Sequence, residues 1–238
     1  MTFGKDLPTT VDDCEYFSPA ELAQENFSQP IVIIGAGGFG RHVLAVLRTM
    51  HGWREECFLG FLDDGEVRHD RLERLGGQHL GATDGCIELP QGTRYVLGIG
   101  NGAVREKLDK KFLAAGLKPL TLVHHQAWVA PDARIGEGSI ICPGARVDTN
   151  VILGRGVHIN NNDTIGHDAI LTDWVTVFPM VAVAGEVHIG QRSTIGAGSC
   201  INPGQKLGAD AYVGAGAAVV SDVPDGTLVV GVPAKPRG

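Results

Sequence analysis

His167 and Asp168 stand side by side in Ile165-Gly166-His167-Asp168-Ala169-Ile170, an imidazole next to a carboxylate. Such a carboxylate fixes the tautomer of the ring and raises its basicity, which suits the imidazole to act as a general base. A polar turn histidine accounts for the same letters. A second chemical signal is Gly35-Ala36-Gly37-Gly38-Phe39-Gly40-Arg41-His42, directly after the apolar run Ile31-Val32-Ile33-Ile34. Strand, glycine turn and helix in that order aim the N–H groups of a helix start at an anion, and a diphosphate is the natural ligand. A tight turn that merely packs helix on strand is the alternative.

The other polar candidates read less sharply. His158 and His188, each just before an aliphatic residue of the repeat described below, are expected at the surface, and His124 and His125 at a structural junction. Asp163 occupies a place where a small or apolar residue is expected, so an inward carboxylate there needs partners, with His167 or the asparagines at 160–162 the candidates. The five cysteines are widely spaced with no C-x-x-C pair, which argues for buried thiols and against a disulfide framework or a zinc knuckle.

A six-residue repeat positions the histidine. Aliphatic anchors recur at Val129, Ile135, Ile141, Val147, Leu153, Ile159, Ile165, Leu171, Val177, Val183, Ile189, Ile195, Ile201, Leu207, Val213 and Val219, sixteen hexads without an insertion. No helix fits this period. A short strand and a tight turn do: one aliphatic points inward from each flat face, while Gly, Asn or Asp takes the positive φ at the corner. Three faces close a triangular coil, and about five coils stacked at strand spacing give a prism about 25 Å tall with an aliphatic column inside. The following residue is glycine in seven hexads (Gly136, Gly154, Gly166, Gly190, Gly196, Gly208, Gly214), which reads as turn work by the 34 glycines of this chain. His167 then projects at a corner, outside the packed interior.

The first half reads as a small α/β unit. Strands are expected at 31–34, at Phe58–Leu62 before Asp63-Asp64, and from Tyr95 toward Gly98-Ile99-Gly100-Asn101, with helices after the glycine turn and over 103–115. An acid after the second strand is the ribose ligand of dinucleotide folds, so an NAD enzyme is one alternative, although about 90 residues leave little room for nicotinamide and a substrate domain. A net charge of -7 without a basic stripe argues against nucleic acid, and the acidic, proline-containing start and the lack of a long apolar run argue for a cytoplasmic protein.

The hexads I-G-E-G-S-I, L-G-R-G-V-H, I-G-H-D-A-I, I-G-Q-R-S-T, I-G-A-G-S-C, L-G-A-D-A-Y and V-G-A-G-A-A resemble the hexapeptide-repeat transferase family. IVIIGAGGFGRHV, GFLDD, GIGN with Arg105, the His-Asp pair and the closing VVGVPAK together resemble one branch, the sialic-acid O-acetyltransferases and nucleotide-amino-sugar N-acetyltransferases, from Ile31 to Lys235. The resemblance implies an N-terminal extension (1–29), a Rossmann-like parallel-sheet domain holding a nucleotide sugar (30–121) and a left-handed parallel β-helix (122–238). It implies acetyl-CoA as co-substrate, no metal, and a homotrimer with sites between subunits.

By the same likeness His167 is the general base and Asp168 its orienting acid. Gly35, Gly37 and Gly38 lie near the phosphates and Asp63 near the base or ribose, with Asp64 either beside it or a solvated turn acid, while Asn101 and Asn160 complete the substrate set. Gly185 and Ala197 allow close approach of the pantetheine arm, Gly185 donates to the acetyl carbonyl, and Lys235 reaches a coenzyme phosphate or is simply solvated. The expected reaction is N-acetylation of a nucleotide-linked amino sugar, with a 4-amino-4,6-dideoxy sugar as the family-based choice. Alternatives are O-acetylation of a sialic acid, a γ-carbonic-anhydrase-like zinc enzyme using His158, His167 and His188, and a non-catalytic binding protein.

Overall fold

A computed structural model describes residues 14–23 and 27–237. Of the N-terminal extension, residues 1–13 and 24–26 therefore lie outside the described residues. The remainder is docked: β1 (Tyr16–Phe17) pairs antiparallel with Arg134–Gly136, and α1 (Pro19–Leu22), capped by Ser18, packs Leu22 on the core of the second half. An edge that would otherwise present unpaired backbone groups is thereby covered.

The α/β domain contains β2 (Ile31–Ile34), α2 (Gly38–Arg48), β3 (Phe58–Leu62), α3 (His69–Glu73), β4 (His79–Gly81), β5 (Arg94–Leu97), α4 (Gly102–Ala114) and β6 (Lys118–Pro119). Its sheet is parallel throughout in the order β4-β3-β2-β5-β6. The central β2 is buried along its whole length, as a strand covered on both faces must be. Two strands beyond the three expected, β4 and β6, are short edge strands with too few residues to show a pattern.

From Leu122–Val123 to Lys235–Pro236 the chain forms β7 to β25, a Rossmann-like domain thus being followed by a left-handed parallel β-helix. Each anchor up to Ile201 pairs with the residue eighteen positions on, as in Ile141↔Ile159↔Val177↔Ile195↔Val213, while Leu207 and Val213 meet Val223 and Val229, sixteen positions on. The anchors and the small or β-branched residues four positions after them, among them Ala145, Val151, Ala169, Val175 and Val187, form one buried column. Each fully buried aliphatic side chain stabilises the column by about 1.5–3 kcal/mol relative to exposure.

The turn geometry corrects the sequence reading. The glycines directly after the anchors are not the positive-φ residues. That conformation falls two positions later, at every corner from Gly138 to Gly216, and is taken by Trp174, Met180, Glu186 and Arg192 as well as by Gly, Asn and Asp. The post-anchor glycines serve a different need: a Cβ on Gly136 or Gly166 would run into the backbone of the next coil. Close stacking, not backbone conformation, selects glycine there.

Three faces follow in turn. The first carries Ile152–Leu153 and Ile170–Leu171, the second His158–Ile159 and Thr176–Val177, the third Thr164–Ile165 and Ala182–Val183. The α/β domain packs on the second face, where Ile140 and Cys142 share a core cluster with Leu44 and Leu47 of α2, and the ring of Phe39 lies 4.9 Å from that of His158. His167 sits on the corner between the third and first faces, the edge opposite the one the α/β domain covers.

Candidate functional site

The hexad places His167 by rule: Ile165 fills the column and the chain turns outward after Gly166. Asp168 takes the positive-φ corner position, φ 60°, which a short polar side chain tolerates. From there its Oδ2 lies 2.7 Å from His167 Nδ1, while Asn150, one coil below, donates to Oδ1 at 3.1 Å. Asn150 is in turn held by Asp132, which accepts its backbone N–H. With Nδ1–H given to the carboxylate, Nε2 is the acceptor and is free for substrate. Both side chains are about half exposed. The bond from Asp168 holds the His167 ring above the usual imidazole range, and the same bond, with Asn150, holds Asp168 below the usual carboxylate range.

Gly185, one coil above, is what makes room for this ring. A Cβ there would stand 2.5 Å from His167 Cε1 and Nε2, so any side chain at 185 displaces the imidazole. The fold thus brings His167 and Gly185 together. Ala197 is not with them: it lies at the exposed corner between the second and third faces, beside Gly198, on a different edge of the same prism. Lys235 is exposed in the antiparallel closing pair with Val230.

The second group of predicted residues gathers at the carboxyl ends of β2 and β5. The strand order reverses between these two, and ligands of open parallel sheets bind at such a reversal. Gly35 (φ 98°) turns against Ile99 and Gly98, whereas a Cβ on Gly37 or Gly38 would meet nothing within 4 Å, leaving these two open to a ligand. Asp63 underpins the turn, with Oδ2 accepting from Ala36 N at 2.6 Å and Oδ1 from Gly65 N at 2.7 Å. Asp64 is exposed, as a turn acid would be, yet it is also tied down: it accepts from Thr83 N and Oγ1, which hold its carboxyl below the ordinary range. Asn101 caps α4 through Oδ1 to Val104 N at 3.0 Å.

Asp163 and Asn160 meet inside the β-helix. The Asp163 carboxylate is completely buried and accepts from the backbone N–H of Asn160 at 2.6 Å and of Val181 at 2.9 Å. It makes no bond to His167. Burial pushes its carboxyl up to about 8 against the pull of these two donors. His158 corrects the surface expectation: it is buried under Phe39, with neither ring nitrogen partnered among the described residues, and burial keeps it neutral. His124 fits its junction role, Nε2 lying 2.8 Å from Thr49 Oγ1. His158, His167 and His188 lie on the second face, the corner between the third and first faces, and the first face, so one chain cannot direct them at one metal.

Two residues with structural weight escaped the sequence reading, Thr176 and the buried Asp109. Asp109 accepts from Tyr95 Oη at 2.6 Å and Arg155 Nε at 2.8 Å. A charged residue on the buried side of α4, between Arg105 and Phe112, was the available signal.

An imidazole bonded to a carboxylate on a β-helix edge, joined to an open glycine turn on a parallel sheet, is the arrangement of a hexapeptide-repeat acyltransferase with an N-terminal Rossmann-like domain. The comparisons agree. Residues 30–112 match the PglD N-terminal domain family. Over 213 residues, 85% of this chain and 94% of the relative, the sequence is 31% identical to the GDP-perosamine N-acetyltransferase of Escherichia coli O157:H7. The structure of PerB from Caulobacter crescentus in complex with CoA and GDP-perosamine superposes with a TM-score of 0.80 at 34% identity, covering 89% of this chain and 98% of that one. The acetyltransferase domain of PglB from Neisseria gonorrhoeae, in complex with acetyl coenzyme A, gives 0.79 at 32% identity over 90% and 100%. The chain belongs to the hexapeptide-repeat acetyltransferases, in the branch that contains the perosamine N-acetyltransferases.

Proposed function

We propose that this protein transfers the acetyl group of acetyl-CoA to the amino group of a nucleotide-linked amino sugar, a 4-amino-4,6-dideoxy hexose by analogy with the perosamine enzymes. The observation that carries the reading is the free Nε2 of His167, opposite the Asp168 bond and over the bare backbone of Gly185. As the amine attacks the thioester carbonyl, a C–N bond forms and His167 Nε2 takes the proton that nitrogen sheds. Collapse of the tetrahedral intermediate breaks the C–S bond, and the imidazolium returns the proton to the departing thiolate. The N–H of Gly185 is the proposed donor to the oxyanion. Gly37, Gly38 and the loop at Asn101 take the nucleotide diphosphate, Asp63 holding the turn in shape. Asn160 helps place the sugar, and Ala197 and Lys235 lie along the coenzyme track.

The glycine turn faces one side of the prism and His167 the opposite edge, which supports a homotrimer in which a sugar held by one subunit meets the imidazole of the next. In its upper coils the third face presents Ala182, Ala184, Cys200 and Ala218, small enough for prisms to stand side by side there. Among the described residues no helix is long and apolar enough to cross a membrane, in keeping with a cytoplasmic enzyme of polysaccharide precursor synthesis.

The test incubates the protein and acetyl-CoA with a panel of nucleotide-linked amino sugars, following thiol release and product mass. His167→Ala is expected to lose about 10²-fold or more of kcat. An unaffected rate removes His167 from the chemistry, and turnover only with hydroxyl acceptors such as sialic acid replaces the N-acetyl reading with O-acetylation.

A further inference from the structure

Arg105 is completely buried, yet among the described residues no carboxylate shares its cage. Its guanidinium donates instead to oxygens of both domains. On the α/β side Nη1 reaches Ile99 O and Gly100 O, each at 2.9 Å. On the β-helix side Nη1 reaches Thr176 Oγ1 at 2.9 Å, Nη2 reaches Trp174 O at 2.8 Å and Val175 O at 3.2 Å, and Nε reaches Gly156 O at 3.3 Å. Thr176, itself buried, closes the triangle by donating to Gly100 O at 2.7 Å. A planar fork of five donors suits such an array as an ammonium does not.

The place of this cage in the fold is specific. α4 runs along the corner between the first and second faces and is held at three successive coils. Asp109 pairs with Arg155 on one coil, Arg105 bonds Trp174 O on the next, and Glu106 meets Arg192 at 3.1 Å on the third. Of these ties only that of Arg105 also grips the loop before α4. The loop, Gly98 to Asn101, is the wall of the crevice facing the glycine turn, and Gly100 approaches Phe178 of the prism.

We propose that Arg105, acting with Thr176, is a positioning residue for acetyl transfer: it fixes the crevice wall at 98–101 on coils 156–176, and so sets the height along the prism at which a sugar held in the crevice is presented. The inference rests on the function proposed above and adds a residue that touches neither substrate. A guanidinium held only by neutral oxygens gains less from charge pairing than an ion pair does, and burial lowers its pKa to about 9. Its contribution lies in the number and direction of its bonds, which a lysine cannot reproduce.

The experiment compares Thr176→Val, which removes the hydroxyl at constant shape, with Thr176→Ser, which keeps it, and adds Arg105→Lys. Thr176→Val is expected to raise KM for the nucleotide amino sugar about tenfold with KM for acetyl-CoA unchanged, Thr176→Ser remaining within about twofold of the parent. Hydrogen exchange of the 100–104 amides is expected to quicken in Thr176→Val and Arg105→Lys while that of 158–160 stays slow. Parallel rises in both KM values, a serine variant as impaired as the valine one, or unchanged exchange at 100–104 would overturn the proposal. Exchange is read without substrate, so a wild type that acetylates no nucleotide amino sugar sinks the functional reading separately, even where the latch between the domains is confirmed.

Discussion

The imidazole at 167 owes its chemistry to two neighbours of different kinds, one next to it in sequence and one next to it only in space. Asp168 is adjacent in the chain, and its bond to Nδ1 raises the ring above the usual histidine range. A base must be neutral to accept a proton, so kcat/KM is expected to fall as pH drops through that raised pKa. Asp168→Asn removes the carboxylate charge, and the acidic limb of the profile is expected to move to lower pH as kcat declines. An unmoved limb would show that Asp168 does not tune the base. Gly185 is the spatial neighbour, eighteen residues on and one coil up. The His-Asp pair was legible because its partners are consecutive. The cage of Arg105 was not, because its acceptors lie up to 71 residues away and, Thr176 Oγ1 apart, are backbone oxygens that any sequence supplies.

Among the coils, the hexad rule is obeyed so strictly that its exceptions carry information. Trp174, Met180, Glu186 and Arg192 adopt a positive φ that costs a side-chain-bearing residue roughly 1–2 kcal/mol, a local preference that the parallel ladders and the filled column override. Asp163 is the one carboxylate in that column, at a position held by Ala145 and Val181 in the coils on either side. Its carboxyl rises from the ordinary value of 3.8 in the open chain to about 8 in the fold. The folded state therefore binds the proton more tightly, and the stability this gives at low pH is lost as pH rises through about 8. Denaturant midpoints at fixed protein concentration are expected to fall between pH 5 and pH 9 in the wild type by more than in Asp163→Asn. Equal slopes in the two proteins would mean that the buried carboxyl does not titrate in this window.

The whole chain separates what the chemistry needs to join. The glycine turn and the crevice at 98–101 face one side of the prism, while His167 stands on the far edge, so the proposed reaction requires a second subunit. Complementation tests this. A His167→Ala chain keeps a good crevice, and a Gly38→Glu chain keeps a good imidazole but places a carboxylate where phosphate would lie. Each is expected to be nearly inactive alone, and in the proposed trimer an equal mixture, once re-assembled, is expected to recover roughly a quarter of wild-type turnover, the share of interfaces that unite two intact halves. No recovery on mixing, with oligomers of mixed composition verified by mass, would place both halves of the site within one chain.

The sequence by itself determined the β-helix, because a six-residue period of inward aliphatics is local information repeated sixteen times, and it determined His167 and Asp168, which that period brings to a corner. It also marked the strand, glycine turn and helix of the α/β domain. Only the tertiary structure decided which glycines stack and which residues turn, that His158 is buried under Phe39 instead of facing water, that Asp64 is tied to Thr83, and that Ala197 and His167 occupy different edges. These outcomes depend on which backbone comes to lie one coil above or across a domain interface, and hydrogen bonds to backbone oxygens leave no mark in the identity of the residues that accept them.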